Sequence, residues 1–113
     1  MSGIGWGVEG LGLYQMSFYV YILLCADGSY YAGHTEDIER RMAAHQRGEI
    51  PGYTFTRRPL RLVFVEEFSS RETAFERERQ VKGWSRKKKE ALIQGDWKRL
   101  KELARAHGEP VEP

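Results

Sequence analysis

No stretch of this 113-residue chain approaches the roughly 20 consecutive apolar residues that cross a bilayer, so no membrane segment is expected. Cysteine is nearly absent. The one residue, Cys25, cannot form an intramolecular disulfide or, by itself, a structural zinc site. Its place in an apolar run predicts a buried, inert thiol. The opening "MSGIGWGVEGLGLYQ" lacks the basic and apolar regions of a signal peptide, and a cytoplasmic location is the resulting expectation. Net charge is small at +2, but it is unevenly spread. Residues 1–56 carry 3 Lys/Arg against 6 Asp/Glu, whereas residues 57–113 carry 15 against 10. The excess lies in "TRRPLR" and "WSRKKK". Such clusters suit a polyanion such as nucleic acid, and a solvated helix face accounts for them equally well.

What is present fits one small domain: 41% hydrophobic and 30% charged residues in a length that supports a single core. Residues 1–15 place glycine at every second or third position without an amphipathic period, and read as a flexible leader. The folded domain is expected over residues 16–106, with "HGEPVEP" as a tail from residue 107. Phe18–Cys25, rich in aromatic and β-branched residues, is a strand candidate, and Tyr30–His34 is its return after the turn "ADGS". A helix is predicted from Thr35, as N-cap, to about Gln46, ended by Gly48. "GEIPGYTFTRRP" reads as a loop and "LRLVFVEEF" as a third strand. Ser69 and Glu72 form a candidate capping box for a helix reaching about Lys82. "SRKKKEALIQ" and "DWKRLKELARA" read as two short helices, the second capped by Asp96. The order ββαβααα predicts an α+β fold, a small three-stranded antiparallel sheet flanked by helices.

Helical periodicity then puts polar groups where apolar ones belong. On the first helix Ile38, Met42 and His45 share a face, with Arg41 between them at about 100° per residue. On the helix after Ser69, Ala74, Phe75 and Val81 define the apolar stripe, Glu78 lies in its middle, and Glu76 and Arg77 point away. A buried carboxylate needs a cation, a metal or a hydrogen-bond network. Taken singly, each has a structural explanation: Arg41 and Glu78 as a buried ion pair, His45 as a satisfied core histidine. Together they read as a site. Whether Tyr21 and Tyr31 join it depends on the hairpin. A two-residue Asp27-Gly28 loop places them on opposite faces. A three-residue Ala26-Asp27-Gly28 loop, with Gly28 in the left-handed region, pairs Tyr21 with Gly33 and Leu23 with Tyr31 and puts both phenols on one face.

"YVY" (Tyr19-Val20-Tyr21), "YAG" (Tyr31-Ala32-Gly33), Arg41 ten residues after Tyr31, His45 four further on, and a helical Glu78 resemble the GIY-YIG nuclease domain. The likeness runs from about Met16 to Gln94, taking in "TRRP" and "VKGWSRKKKEAL", and over that stretch the chain resembles the small stand-alone bacterial members. It implies a metal-dependent endonuclease. Glu78 would hold one Mg²⁺ or Mn²⁺, and Tyr21 would deprotonate or orient the attacking water. Tyr31 would hydrogen-bond the water or the phosphate, Arg41 would stabilise the transition state, and His45 would assist Tyr21 or bind phosphate. This role requires the three-residue hairpin loop. The first triplet is Tyr-Val-Tyr rather than Gly-Ile-Tyr, and the chain has no asparagine, so the late active-site asparagine of homing and restriction members is missing.

Three functions compete at this level. The first is cleavage of phosphodiester bonds in nucleic acid, expected to be DNA in branched, damaged or single-stranded form. The second is a non-catalytic nucleic-acid-binding module on the same fold. The third is a structural or partner-binding domain. The intact set Tyr21, Tyr31, Arg41, His45 and Glu78 favours the first. The cations Arg57, Arg58, Arg61, Lys82, Arg86, Lys87, Lys88 and Lys89 are the expected phosphate contacts. No protein partner is deducible.

Overall fold

The near-continuous apolar run at Phe18–Leu24 must be covered on both faces, and that need organises the molecule. The computed structural model describes residues 16–106. The leader over residues 1–15 and the tail from residue 107 lie outside the described residues. Strand β1 (Phe18–Leu24) is central, between β2 (Tyr30–Thr35) and β3 (Arg61–Phe68), in an antiparallel sheet of order β2-β1-β3. Helix α1 (Ile38–Gln46) follows β2, and α2 (Arg71–Lys82), α3 (Arg86–Gln94) and α4 (Trp97–Ala106) follow β3. This is the α+β architecture expected from the element order.

The sheet divides the core in two. Val20 and Ile22 point to the face covered by Ala74 and Val81 of α2, Ala91 and Leu92 of α3, and Leu100 of α4. Tyr21, Leu23 and Cys25 point to the other, where Leu60 and the α1 residues Ile38 and Met42 pack. Cys25 is a buried free thiol, as expected. Among the described residues no helix is long and apolar enough to cross a membrane.

The hairpin adopts the three-residue loop. Cys25 N donates to Ser29 O at 2.8 Å, Gly28 N to Cys25 O at 2.9 Å, and Gly28 takes φ +86°. Asp27 Oδ1 accepts from both Ser29 N and Ser29 Oγ, which holds the turn shut. Tyr21 therefore pairs with Gly33 and Leu23 with Tyr31.

Four local expectations are corrected. Thr35 is the last residue of β2, paired with Tyr19, so α1 starts two residues later and its cap is Asp37, whose Oδ1 accepts from Arg40 N at 3.0 Å. Ser70, not Ser69, caps α2, accepting from Thr73 N. The buried stripe of α2 is Ala74, Glu78 and Val81, spaced i, i+4, i+7. Phe75 falls off one side of it and is 46% exposed. Arg77, at i+3 from Ala74, falls inside instead, with its Nε 3.3 Å from Glu66 Oε1. Lys88 is buried too, because Lys88, Ala91 and Leu92 share the inner face of α3, and its Nζ lies 4.6 Å from the centre of the Trp84 ring.

The same side chain volume thus has different worth on different parts of the sheet. Ile22→Ala should lower unfolding free energy by about 2–5 kcal/mol, because it empties a fully enclosed site. Val65→Ala, on the edge strand and 42% exposed, should cost under about 0.5 kcal/mol. Equilibrium denaturation of the two variants measures the contrast.

Candidate active site

Tyr21 is a phenol laid across a missing side chain. It faces Gly33 on β2, and a Cβ there would sit 2.5 Å from the Tyr21 hydroxyl. Glycine is required at that position for space. The ring is fully buried, and its hydroxyl lies 2.9 Å from His45 Nε2. His45 comes from the last turn of α1 and is itself 1% exposed. Its other nitrogen, Nδ1, is 3.0 Å from Thr54 Oγ1. Tyr31 meets the His45 ring edge-on at 5.7 Å and stacks on Tyr53 at 6.0 Å. Arg41 lies close enough for its positive charge to act on the Tyr21 phenol.

Burial, reinforced by the neighbouring Tyr31, pushes the Tyr21 phenol up to about 12; Arg41 opposes that rise and Glu78 adds to it. Ionising such a phenol at pH 7 costs about 7 kcal/mol, so the resting side chain carries its proton. His45 moves the other way. Burial, and then the Arg41 charge, lower its affinity for a proton below the ordinary histidine value. The resting pair is a neutral phenol against a neutral imidazole.

Glu78 reaches the β2 edge from α2, on the sheet face opposite the two phenols. It is 7% exposed. One carboxylate oxygen is bonded to His34 Nδ1, and the other lies 2.6 Å from Lys82 Nζ. Its partners are therefore His34 and Lys82, and the Arg41–Glu78 ion pair considered from sequence is not formed. Burial alone would raise the carboxyl; Lys82 and His34 more than offset it and hold it below the usual range. Lys82 also sits 5.6 Å from the centre of the Tyr31 ring, so it links the carboxylate to the phenols.

Beside this group a cleft of about 510 Å³ is lined by His34, Thr35, Glu36, Asp37, Arg40, Arg41 and Arg71. Arg71 and Arg40 were not singled out by sequence. Arg40 is exposed and borders the cleft from its rim. Thr54 carried no sequence signal at all, being one loop residue among many. His34 entered the sequence reading only as the end of the second strand candidate.

The predicted phosphate contacts separate into groups. Arg57 is committed to the fold: it pairs with Asp27 at 3.0 Å, donates to Tyr53 O and lies over the Tyr53 ring at 3.7 Å. Arg58 donates to Phe55 O and Gln46 O. Arg86 pairs with Glu90, donates to Gly28 O at 2.6 Å and covers Tyr30. Arg61 and Lys87 are exposed, Lys89 is half-buried, Lys82 is tied to Glu78, and Lys88 is buried.

One expectation follows from the histidine. Its folded-state proton affinity lies below the unfolded value near 6.5, so the neutral ring adds stability that is complete above that pH. This stability is lost as pH falls from about 6.5 toward the folded value. His45→Gln should flatten the fall in melting temperature across that window, measured by thermal melts between pH 8 and 5. An unchanged slope would mean His45 titrates normally.

Residues 17–91 match the sequence profile described as the GIY-YIG catalytic domain. A UPF0213 protein of Natronomonas pharaonis is 48% identical over 75 residues, 66% of this chain and 88% of that protein. One of Halalkalibacterium halodurans is 49% identical over 78 residues, covering 69% and 83%. The solution NMR structure of a protein from E. faecalis shares 37% identity over 70% of this chain and 84% of its own, with a TM-score of 0.51. The phenol pair, the α1 arginine and histidine and the α2 carboxylate thus stand inside the matched region, and the chain belongs to the GIY-YIG nuclease superfamily.

Proposed function

We propose that this protein is a metal-dependent endonuclease acting on nucleic acid, DNA foremost. The observation that carries the reading is Tyr21. A fully buried phenol hydrogen-bonded to a neutral histidine, with an arginine charge acting on it, is a poor core residue and a good proton carrier. Glu78, a buried carboxylate that already gathers a lysine and a histidine, is a place where positive charge is favoured. Mg²⁺ and Mn²⁺ are commonly held by one or two carboxylates, with waters and phosphate oxygens completing the shell. No cluster of three His, Cys, Asp or Glu occurs among the described residues, so Glu78 would be the one carboxylate the protein gives the ion. Glu78 would hold the ion, and Lys82, whose side chain is 48% exposed, would turn to solvent to free Oε2. When bound, the ion supplies Lewis-acid charge to the phosphate.

The chain's own residues do the rest. Tyr21 takes a proton from the attacking water once its own has passed to His45 Nε2. Arg41, beside the same hydroxyl, stabilises the phenolate and the charge that develops on the phosphate. Tyr31 orients water or phosphate at the mouth of the site. Phe55, 46% exposed in the loop that carries Tyr53, offers a stacking surface, which favours single-stranded or splayed substrate over intact duplex. We assign the protein to the cytoplasm, in keeping with its free, buried Cys25.

A second reading, a non-catalytic nucleic-acid-binding module, has one observation in its favour: both Glu78 oxygens are taken by protein groups. Glu78→Gln separates the two. For a nuclease, metal-stimulated cleavage should fall by two to three orders of magnitude, roughly the several kcal/mol a Lewis-acid ion contributes. Binding should persist, and the melting temperature should stay within a few degrees because Lys82 can move to water. Cleavage assays on single-stranded, branched and duplex DNA and on RNA, with Mg²⁺, Mn²⁺ or EDTA, provide the readout. Cleavage undiminished in the variant removes the ligand role; none in the wild type under any condition leaves the binding module.

The surface cations make a second expectation. Charge reversal at Lys87 and Lys89 should weaken binding across sequences and flatten its salt dependence by about 0.9 per lost phosphate contact on duplex DNA. Fluorescence anisotropy across a salt series measures this slope. Lys88→Glu should instead destabilise the fold, since it would set a buried carboxylate where a lysine lies against the Trp84 ring.

A further inference from the structure

We propose that Thr54 is a positioning residue: its hydroxyl fixes the His45 tautomer in which Nε2 is free to take the Tyr21 proton. The inference rests on the nuclease reading for its consequence, and on hydrogen-bond logic for its direction. Arg41 has donors only and cannot accept a proton. The Tyr21 hydroxyl is fully buried, and the one acceptor within hydrogen-bond distance of it is His45 Nε2 at 2.9 Å, so the phenol's hydrogen goes there. A neutral imidazole that accepts at Nε2 carries its hydrogen at Nδ1. That nitrogen is 3.0 Å from Thr54 Oγ1, which therefore accepts. The chain of donors runs one way, from Tyr21 through His45 to Thr54.

Thr54 is built to hold this post although it lies in a loop. It is 2% exposed. Its carbonyl accepts from Arg57 N at 3.0 Å, closing the 3₁₀ turn Phe55–Arg57. Arg57 in turn grips Asp27, and its carbonyl accepts from Ala26 N at 2.9 Å. The loop is thus fastened to the tip of the hairpin whose two strands carry Tyr21 and Tyr31. Both partners of His45 are referenced to one rigid element.

The proton balance is simple. During reaction the Tyr21 O–H bond breaks and its proton forms a bond to His45 Nε2. The imidazolium so formed keeps its Nδ1–H on Thr54, and the phenolate receives the proton that water loses. Without the hydroxyl, Nδ1–H has no partner. The ring then favours the other tautomer, with hydrogen on Nε2 facing the phenol, and the relay is blocked.

The test uses the full chain, free of metal and nucleic acid, labelled with ¹⁵N-histidine. Long-range ¹H–¹⁵N spectra report which ring nitrogen carries hydrogen, and His45→Gln assigns the signal. Wild type and Thr54→Ser should show hydrogen at Nδ1; Thr54→Val should show a shift toward Nε2. Cleavage should fall about 10- to 100-fold in kcat for Thr54→Val, with KM little changed, and recover in Thr54→Ser. A wild-type His45 protonated at Nε2 overturns the proposal even if the valine variant fails to fold. So does an unmoved tautomer in Thr54→Val, or a kcat equal to wild type in that variant. Should the tautomers behave as expected while no form of the protein cleaves, the positioning role stands and the nuclease reading is what has failed.

Discussion

The register of one hairpin sets the position of everything that matters here. The Ala26-Asp27-Gly28 loop gives the β1–β2 pair odd parity, and odd parity places Tyr21 opposite Gly33 and on the same face as Tyr31. The phenol of Tyr21 lies in the space a Gly33 side chain would occupy. A slip of one residue would send one tyrosine to the far face, because side chains alternate along a strand. The loop resists that slip through Gly28 in the left-handed region and through Asp27, which binds Ser29 inside the turn and Arg57 outside it.

Around that hairpin the two sheet faces divide the work. The face under α2, α3 and α4 supplies most of the apolar burial, and it tolerates Glu78 at the β2 edge because His34 and Lys82 neutralise the carboxylate there. The face under α1 is small and polar at its rim. There Tyr21, His45 and Thr54 satisfy one another in series, and an unmade bond in such a dry place is expensive. The electrostatics follow from burial: a phenol pushed up, an imidazole pushed down, and an arginine close enough to act on both.

Arginine has two uses in this protein, and composition does not distinguish them. Arg57 and Arg86 reach the hairpin tip, at Asp27 and Gly28, and brace it against the loop and α3. Arg41 and the cleft residues Arg40 and Arg71 remain at the mouth of the site. Arg71 is paired there with Glu36 at 2.6 Å, so the charge of Arg40 and Arg41, with that of Arg61 and Lys87, is what a polyanion would meet.

Much of this was legible in the chain itself. The number, type and order of strands and helices followed from alternation, helical period and turn chemistry, though the caps of the first two helices fell elsewhere, and the inward positions of His45 and Glu78 followed from the same arithmetic. Even the burial of Lys88 was available, since it stands i−3 and i−4 to Ala91 and Leu92. Local signals determined these because they act between neighbours in sequence. Three things needed the folded structure. Asp-Gly is compatible with either hairpin loop, so the side on which Tyr21 and Tyr31 meet was settled only by pairing and by the braces on the turn. Glu78 took His34 and Lys82 as partners in place of Arg41, because partner choice depends on distances between elements. Thr54 became part of the site because a loop was folded back onto α1, a contact between residues nine apart that no periodicity announces.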